Sequence, residues 1–162
     1  MKFVSRMHPG LVRSSNQDSL LVCLQQGLFA VADGMGGHNG GDIASALAVE
    51  TVKQCLEAQK PSLIAMEQAV QQANTAIRQR QDAQPELSGM GTTFTGIWED
   101  KESIYLVHVG DSRAYLLQDG KLVQLTQDHS VVAQFVVLKH ERIPCSIGLP
   151  AQLERTKRWK WI

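Results

Sequence analysis

The chain has 162 residues, 43% of them apolar, and its sixteen basic and sixteen acidic side chains cancel. That size suits one domain, and the balance of charge gives no electrostatic ground for binding nucleic acid or an anionic membrane. No run of about eighteen apolar residues exists to cross a membrane, the N-terminus MKFVSRMHPG lacks a signal-peptide core, and Cys23, Cys55 and Cys145 form no CxxC pair. The expected setting is therefore a reducing cytoplasm with free thiols.

In chain order, residues 19–24 (SLLVCL) and 28–32 (LFAVA) are short apolar runs separated by QQG and predict two buried strands joined by a tight turn. The strand ends at Asp33, and residues 34–41 hold five glycines in eight positions, which predicts a loop. Asp42 is placed to cap a helix running to about Gln59, with Ile43, Leu47, Thr51 and Cys55 near one face. Pro61 and Ser62 open a second helix, in which Leu63, Met66, Ala69, Val70, Ala73, Ala76 and Ile77 recur at helical spacing. Residues 81–91 read as a loop, followed by strands over 92–98, 104–109 and 114–118. Asp119–Gly120 then predicts a two-residue turn into a strand over 121–125. Two strands, two helices and a further run of strands indicate a layered α+β domain.

Four stretches bear residues with chemical potential. Asp33–Gly34 sets a carboxylate at a strand end beside a backbone without Cβ, which suits either a turn or the oxygen donors of a hard divalent cation. Arg13, in GLVRSSNQD, carries a planar fork suited to phosphate, or is a solvated loop residue. Asp18 and Asp111 lie, like Asp33, at the edges of expected strands, so the three could converge on one ion; Asp111-Ser112-Arg113 also reads as a plain turn with a local ion pair. Gly91-Thr92-Thr93 either sets a hydroxyl beside such a site or merely starts a strand, and His38 and His129 are candidate proton carriers near neutral pH. Other phosphate chemistry is excluded: GxGxxG fails at Asn39, the P-loop fails because Leu122 follows Gly120–Lys121, and no cysteine has an arginine six positions on.

Taken together, Arg13-x-x-Asn-Gln-Asp18, Asp33-Gly-Met-Gly-Gly, Gly91-Thr-Thr93, Gly110-Asp-Ser-Arg113 and Thr126-x-Asp-His-Ser130 resemble the PPM (PP2C-type) metal-dependent serine/threonine protein phosphatases of bacteria, from about Leu11 to Gln134. The resemblance implies an αββα four-layer sandwich and a binuclear Mn²⁺ or Mg²⁺ centre, with a third, weaker ion site. It implies that Asp33 bridges two ions and Gly34 offers its carbonyl, that Asp18 and Asp111 serve the third site, that Arg13 binds the substrate phosphate, and that Thr93 borders the site. The reaction implied is hydrolysis of phosphoserine or phosphothreonine by a metal-activated water, on a phosphorylated protein substrate, with no nucleic acid or membrane partner. Gln17 is neutral where many relatives carry glutamate.

The remainder departs from the family pattern. Residues 135–162 form a basic stretch that is expected to be divergent or out of frame, with the phosphatase-like part confined to 1–134. No aspartate follows Asp128, whereas relatives supply two further metal aspartates downstream. The expected sandwich is thus incomplete, with an apolar surface available for self-association. The alternative function is an impaired phosphatase-like fragment that at most binds phosphorylated segments.

Overall fold

The computed structural model describes residues 2–11, 15–101, 103–128, 132–139 and 159–160, with backbone alone for 37–39, 132–139 and 159–160. The first hairpin forms as expected from β1 (Asp18–Cys23) and β2 (Leu28–Met35), registered Leu21↔Ala30 and Asp18↔Asp33. Side chains alternate along β2: Leu28, Ala30, Ala32 and Gly34 are buried, whereas Val31, Asp33 and Met35 are exposed. Such period-two burial marks a strand with one face against a core.

Two helices cover that face. Helix α1 spans Gly37–Leu56 and α2 spans Leu63–Ala83, and they pack on each other as well as on the sheet. Ser62 caps α2 by accepting the Ala65 N–H at 3.2 Å. Its buried side, Met66, Ala69, Val70, Ala73 and Ile77, is the one its periodicity predicts, with Ala76 only half-buried. Helix α1 differs from expectation in two ways. It starts five residues before Asp42, which sits inside the helix and accepts its neighbour's N–H, from Ile43, at 2.9 Å. Its fully buried stripe is Ala44, Ala48, Val52 and Leu56, one residue beyond the predicted Ile43–Leu47–Thr51–Cys55 stripe, which is half-buried. Ala44 and Ala48, in the N-terminal half of that stripe, let the helix approach the sheet closely there.

A 3₁₀ turn at Pro85–Leu87 leads to β3 (Gly91–Thr92) and β4 (Phe94–Glu99). The single strand expected over 92–98 is therefore broken at Thr93, where the chain leaves the end of β2 and joins its flank. Strand β5 (Ser103–Val109) pairs with β4, and β8 (Val132–Lys139) pairs with β5 along its whole length, so the expected boundary after residue 134 falls within a strand. The short β9 (Trp159–Lys160) pairs with the start of β8. The resulting antiparallel sheet has the order β1-β2-β4-β5-β8-β9, with β3 attached to β2. A separate hairpin joins β6 (Tyr115–Gln118) to β7 (Lys121–Gln124). Its turn has φ of 50° at Asp119 and 74° at Gly120, the left-handed pair that a type I′ turn demands.

The core lies between the helices and the inner sheet face, around Leu28, Phe94, Trp98, Val107, Leu56 and Met66. The Trp98 indole N–H donates to the Gln26 carbonyl at 3.0 Å, which ties the first turn to β4. Leu20, Val22, Phe29, Val31 and Ile97 share the sheet's other face by register, and Phe3 packs on Phe29 with ring centroids 6.0 Å apart. The described residues thus supply one helical layer, one sheet and a hairpin, a partial form of the α+β sandwich. Among them, no helix is long and apolar enough to cross a membrane.

Candidate active site

Asp18 and Asp33 lie opposite each other at the open end of the first hairpin, on the face away from the helices. The Gly34 N–H donates to the Gln17 carbonyl at 3.1 Å, so 17–34 is the hydrogen-bonded pair and 18–33 is the adjoining non-bonded pair, the kind whose side chains stand closest. Asn16 Oδ1 accepts the Asp18 N–H at 3.1 Å and starts β1 at this residue. Like charges directly opposite on paired strands repel. A cation between two such carboxylates reverses that sign.

Asp33 is held from its other side by the threonine pair. Its N–H donates to Thr93 Oγ1 at 3.0 Å, and its carbonyl accepts from the Thr93 N–H at 2.9 Å and from Thr92 Oγ1 at 3.0 Å. Strand β2 therefore runs on through Asp33 to Met35 instead of ending at the aspartate. Thr93 Oγ1 in turn lies 2.9 Å from Ser112 Oγ, in the turn that carries Asp111. That turn is clamped further along: Arg113 Nε donates to Asp128 at 2.9 Å, and the Ala114 N–H donates to Thr126 Oγ1 at 3.0 Å. Asp128, followed by the Tyr115 hydroxyl, raises the Arg113 pKa above its ordinary value.

Behind the aspartates, the glycines have a reason other than a loop. A Cβ on Gly34 would land on the Gly41 carbonyl oxygen, and one on Gly41 would sit 2.8 Å from Gly34 backbone atoms. The first turn of α1 and the end of β2 touch through bare backbone, which only glycine permits at both places. Ser45, fully buried on α1, donates to the Gln17 carbonyl at 2.7 Å and lies 2.9 Å from Ser19 Oγ. The Gln17 carbonyl is thus held by Ser45 and Gly34 together, which sets the approach to Asp18.

The structure therefore brings together Asp18, Asp33, Gly34 and Thr93, and links the exposed Asp111 to them through Ser112. It does not gather a larger acidic cluster: among the described residues, no group of three or more His, Cys, Asp and Glu side chains is placed to hold a metal. Arg13 and His129 lie outside the described residues, as does the side chain of His38, whose backbone is in the first turn of α1. The donor types fit a hard cation, being two facing carboxylates beside a backbone cradle that a Cβ would fill. Sequence reasoning missed Ser45 and Ser112. Neither shows a periodic or charge signal, although Ser112 stands inside a quoted motif.

A family model described as protein phosphatase 2C matches residues 12–144. The chain belongs to the protein phosphatase 2C family. The serine/threonine protein phosphatase PstP of Mycobacterium tuberculosis is 40% identical over 139 residues, covering 84% of this chain and 26% of the relative. The serine/threonine phosphatase stp of Listeria welshimeri is 36% identical over 140 residues, covering 81% of this chain and 56% of the relative. A crystal structure of the catalytic domain of PstP in complex with two manganese ions superposes with a TM-score of 0.69 at 42% identity, covering 74% of this chain and 52% of that one. The chain therefore spans from about a quarter to just over half of the length of these relatives.

Proposed function

We propose that the chain carries the substrate-phosphate and part of the metal machinery of a metal-dependent protein-serine/threonine phosphatase, whose substrate is a phosphorylated protein. The observation that carries this reading is the Asp18–Asp33 pair, closely opposed on one face and braced by Thr92, Thr93 and the Gly34–Gly41 contact. Asp33 and Asp18 would hold Mn²⁺ or Mg²⁺ with the Gly34 carbonyl, and Asp111 would join them. Two such ions, when bound, supply the Lewis acidity that lowers the pKa of water and neutralises phosphate charge. Arg13, by its place in the family motif, would hold the phosphate dianion in line for attack. His38, whose backbone is in the first turn of α1, would act as a proton carrier. The PstP structure with two manganese ions supports this choice of metal.

The test is hydrolysis of p-nitrophenyl phosphate and of a phosphothreonine peptide with Mn²⁺ or Mg²⁺, for the unaltered chain and for Asp33→Ala. Metal-dependent turnover that Asp33→Ala abolishes is the expected result; equal rates in the two proteins would remove the reading.

A second reading is favoured by the lack of a three-acid cluster among the described residues. In it the chain binds phosphorylated segments without hydrolysing them. Titration with a phosphopeptide and its unphosphorylated twin decides, since equal affinities would count against it. A cytoplasmic setting and self-association through the helix-free sheet face, where Val22 and Val31 are about 40% exposed, belong to the same proposal. Sedimentation equilibrium showing only monomer would remove the self-association.

A further inference from the structure

Thr93 is gripped on two sides by one turn. Its hydroxyl lies 2.9 Å from Ser112 Oγ, and its methyl group occupies the space where Gly110 lacks a side chain: a Cβ there would stand 2.6 Å from Thr93 Cγ2. The same hydroxyl accepts the Asp33 N–H at 3.0 Å. A threonine hydroxyl has one hydrogen and two lone pairs, so the Ser112 bond, with the methyl group seated against Gly110, helps to keep that oxygen aimed at the Asp33 amide. Ser112 is itself in a segment anchored independently of β2, by Arg113 to Asp128 and by Ala114 to Thr126. Of the two hydroxyl hydrogens in the pair, one lies in the Thr93–Ser112 bond and the other is left to donate elsewhere.

We propose that Ser112 is a positioning residue of the candidate metal centre, which fixes the peptide of Asp33 through Thr93 and so sets the affinity of the site for a divalent cation. The inference rests on the metal-centre reading given above. Groups that orient a metal ligand from behind it contribute about 10- to 100-fold in affinity, and the relay reaches Asp33 through its backbone, where a small rotation of the peptide displaces the carboxylate.

The test is titration calorimetry with manganese chloride on the full chain, for the unaltered protein, Ser112→Ala, Thr93→Val and the double variant, with the metal-free melting curve of each. Ser112→Ala is expected to bind Mn²⁺ about tenfold more weakly with its metal-free melting unchanged, and Ser112→Thr to restore the binding. Because Ser112 acts through Thr93, the double variant is expected to lose no more than Thr93→Val alone. Amide hydrogen exchange at Asp33 in the metal-free protein is expected to quicken in Ser112→Ala. Should Ser112→Ala not fold, Ser112→Cys keeps the size and weakens the bond, and the same affinity loss is expected of it. Unaltered affinity in Ser112→Ala or, in its place, Ser112→Cys, or additive losses in the double variant, would overturn the relay while leaving the metal reading intact. No Mn²⁺ binding by the unaltered chain would overturn both.

Discussion

The two aspartates that face each other across the first hairpin are the least expected residues in an otherwise ordinary sheet. Two carboxylates in a close, non-bonded cross-strand pair oppose folding in the absence of a counter-ion. Asp18→Asn is expected to weaken Mn²⁺ binding, with a change of no more than about 0.5 kcal/mol in the metal-free stability, on the scale of cross-strand pairs. Paired denaturant melts with and without Mn²⁺ check it, and equal loss of stability in both conditions would count against the pair as a cation site. Cys55 makes a different residue-scale case. Burial raises its thiol pKa above the ordinary cysteine value, and its Sγ–H donates to Gln72 Oε1 at 2.8 Å. The folded state therefore keeps the proton longer than the unfolded one, so this contribution to stability is present below the unfolded pKa and is lost as the pH rises above it. At pH 8 the thiol of Cys55 is expected to react with iodoacetamide more slowly in the native chain than in the same chain unfolded in urea, as read by peptide mass spectrometry.

Among the elements, the meeting of β2 with the first turn of α1 carries the most consequence. Gly34 and Gly41 are in backbone contact, with the Gln17 side chain against the same spot. Gly41→Ala is expected to cost about 3 kcal/mol, at the upper end of overpacking penalties, because its Cβ would meet the Gly34 backbone, which cannot swing aside as the Gln17 side chain can. Urea titration measures this, and a cost below about 1 kcal/mol would show that the contact can open. The strand end and the helix start are coupled here, so the same change is also expected to weaken cation binding at Asp33.

For the molecule as a whole, neutrality and an apolar sheet face act together. The formal net charge is zero and the isoelectric point near 7.0, and little charge repulsion then separates copies at neutral pH. Leu117 and Leu122, opposed on the outer hairpin, are each about two-thirds exposed and add apolar surface of their own. Solubility in polyethylene glycol is expected to be lowest near pH 7 and to rise on both sides. A solubility that does not change between pH 6 and 8.5 would mean that apolar contact alone governs association.

The sequence by itself determined the strands of the first hairpin, the second helix with its buried side, the Asp119–Gly120 turn and the family, because each rests on local periodicity, turn chemistry or an ordered set of short motifs. It also named Asp18, Asp33, Gly34 and Thr93, which the fold brings together. Only the tertiary structure decided that the glycine-rich segment starts a helix. Local preference favours a loop there, but bare backbone lets that helix press against β2. It alone decided that β2 continues past Asp33, because the partners of that stretch, Gly91–Thr93, come sixty residues later in the chain. The supporting roles of Ser45 and Ser112 were decided there too. A serine hydroxyl has no meaning in sequence until the fold places an acceptor within its reach.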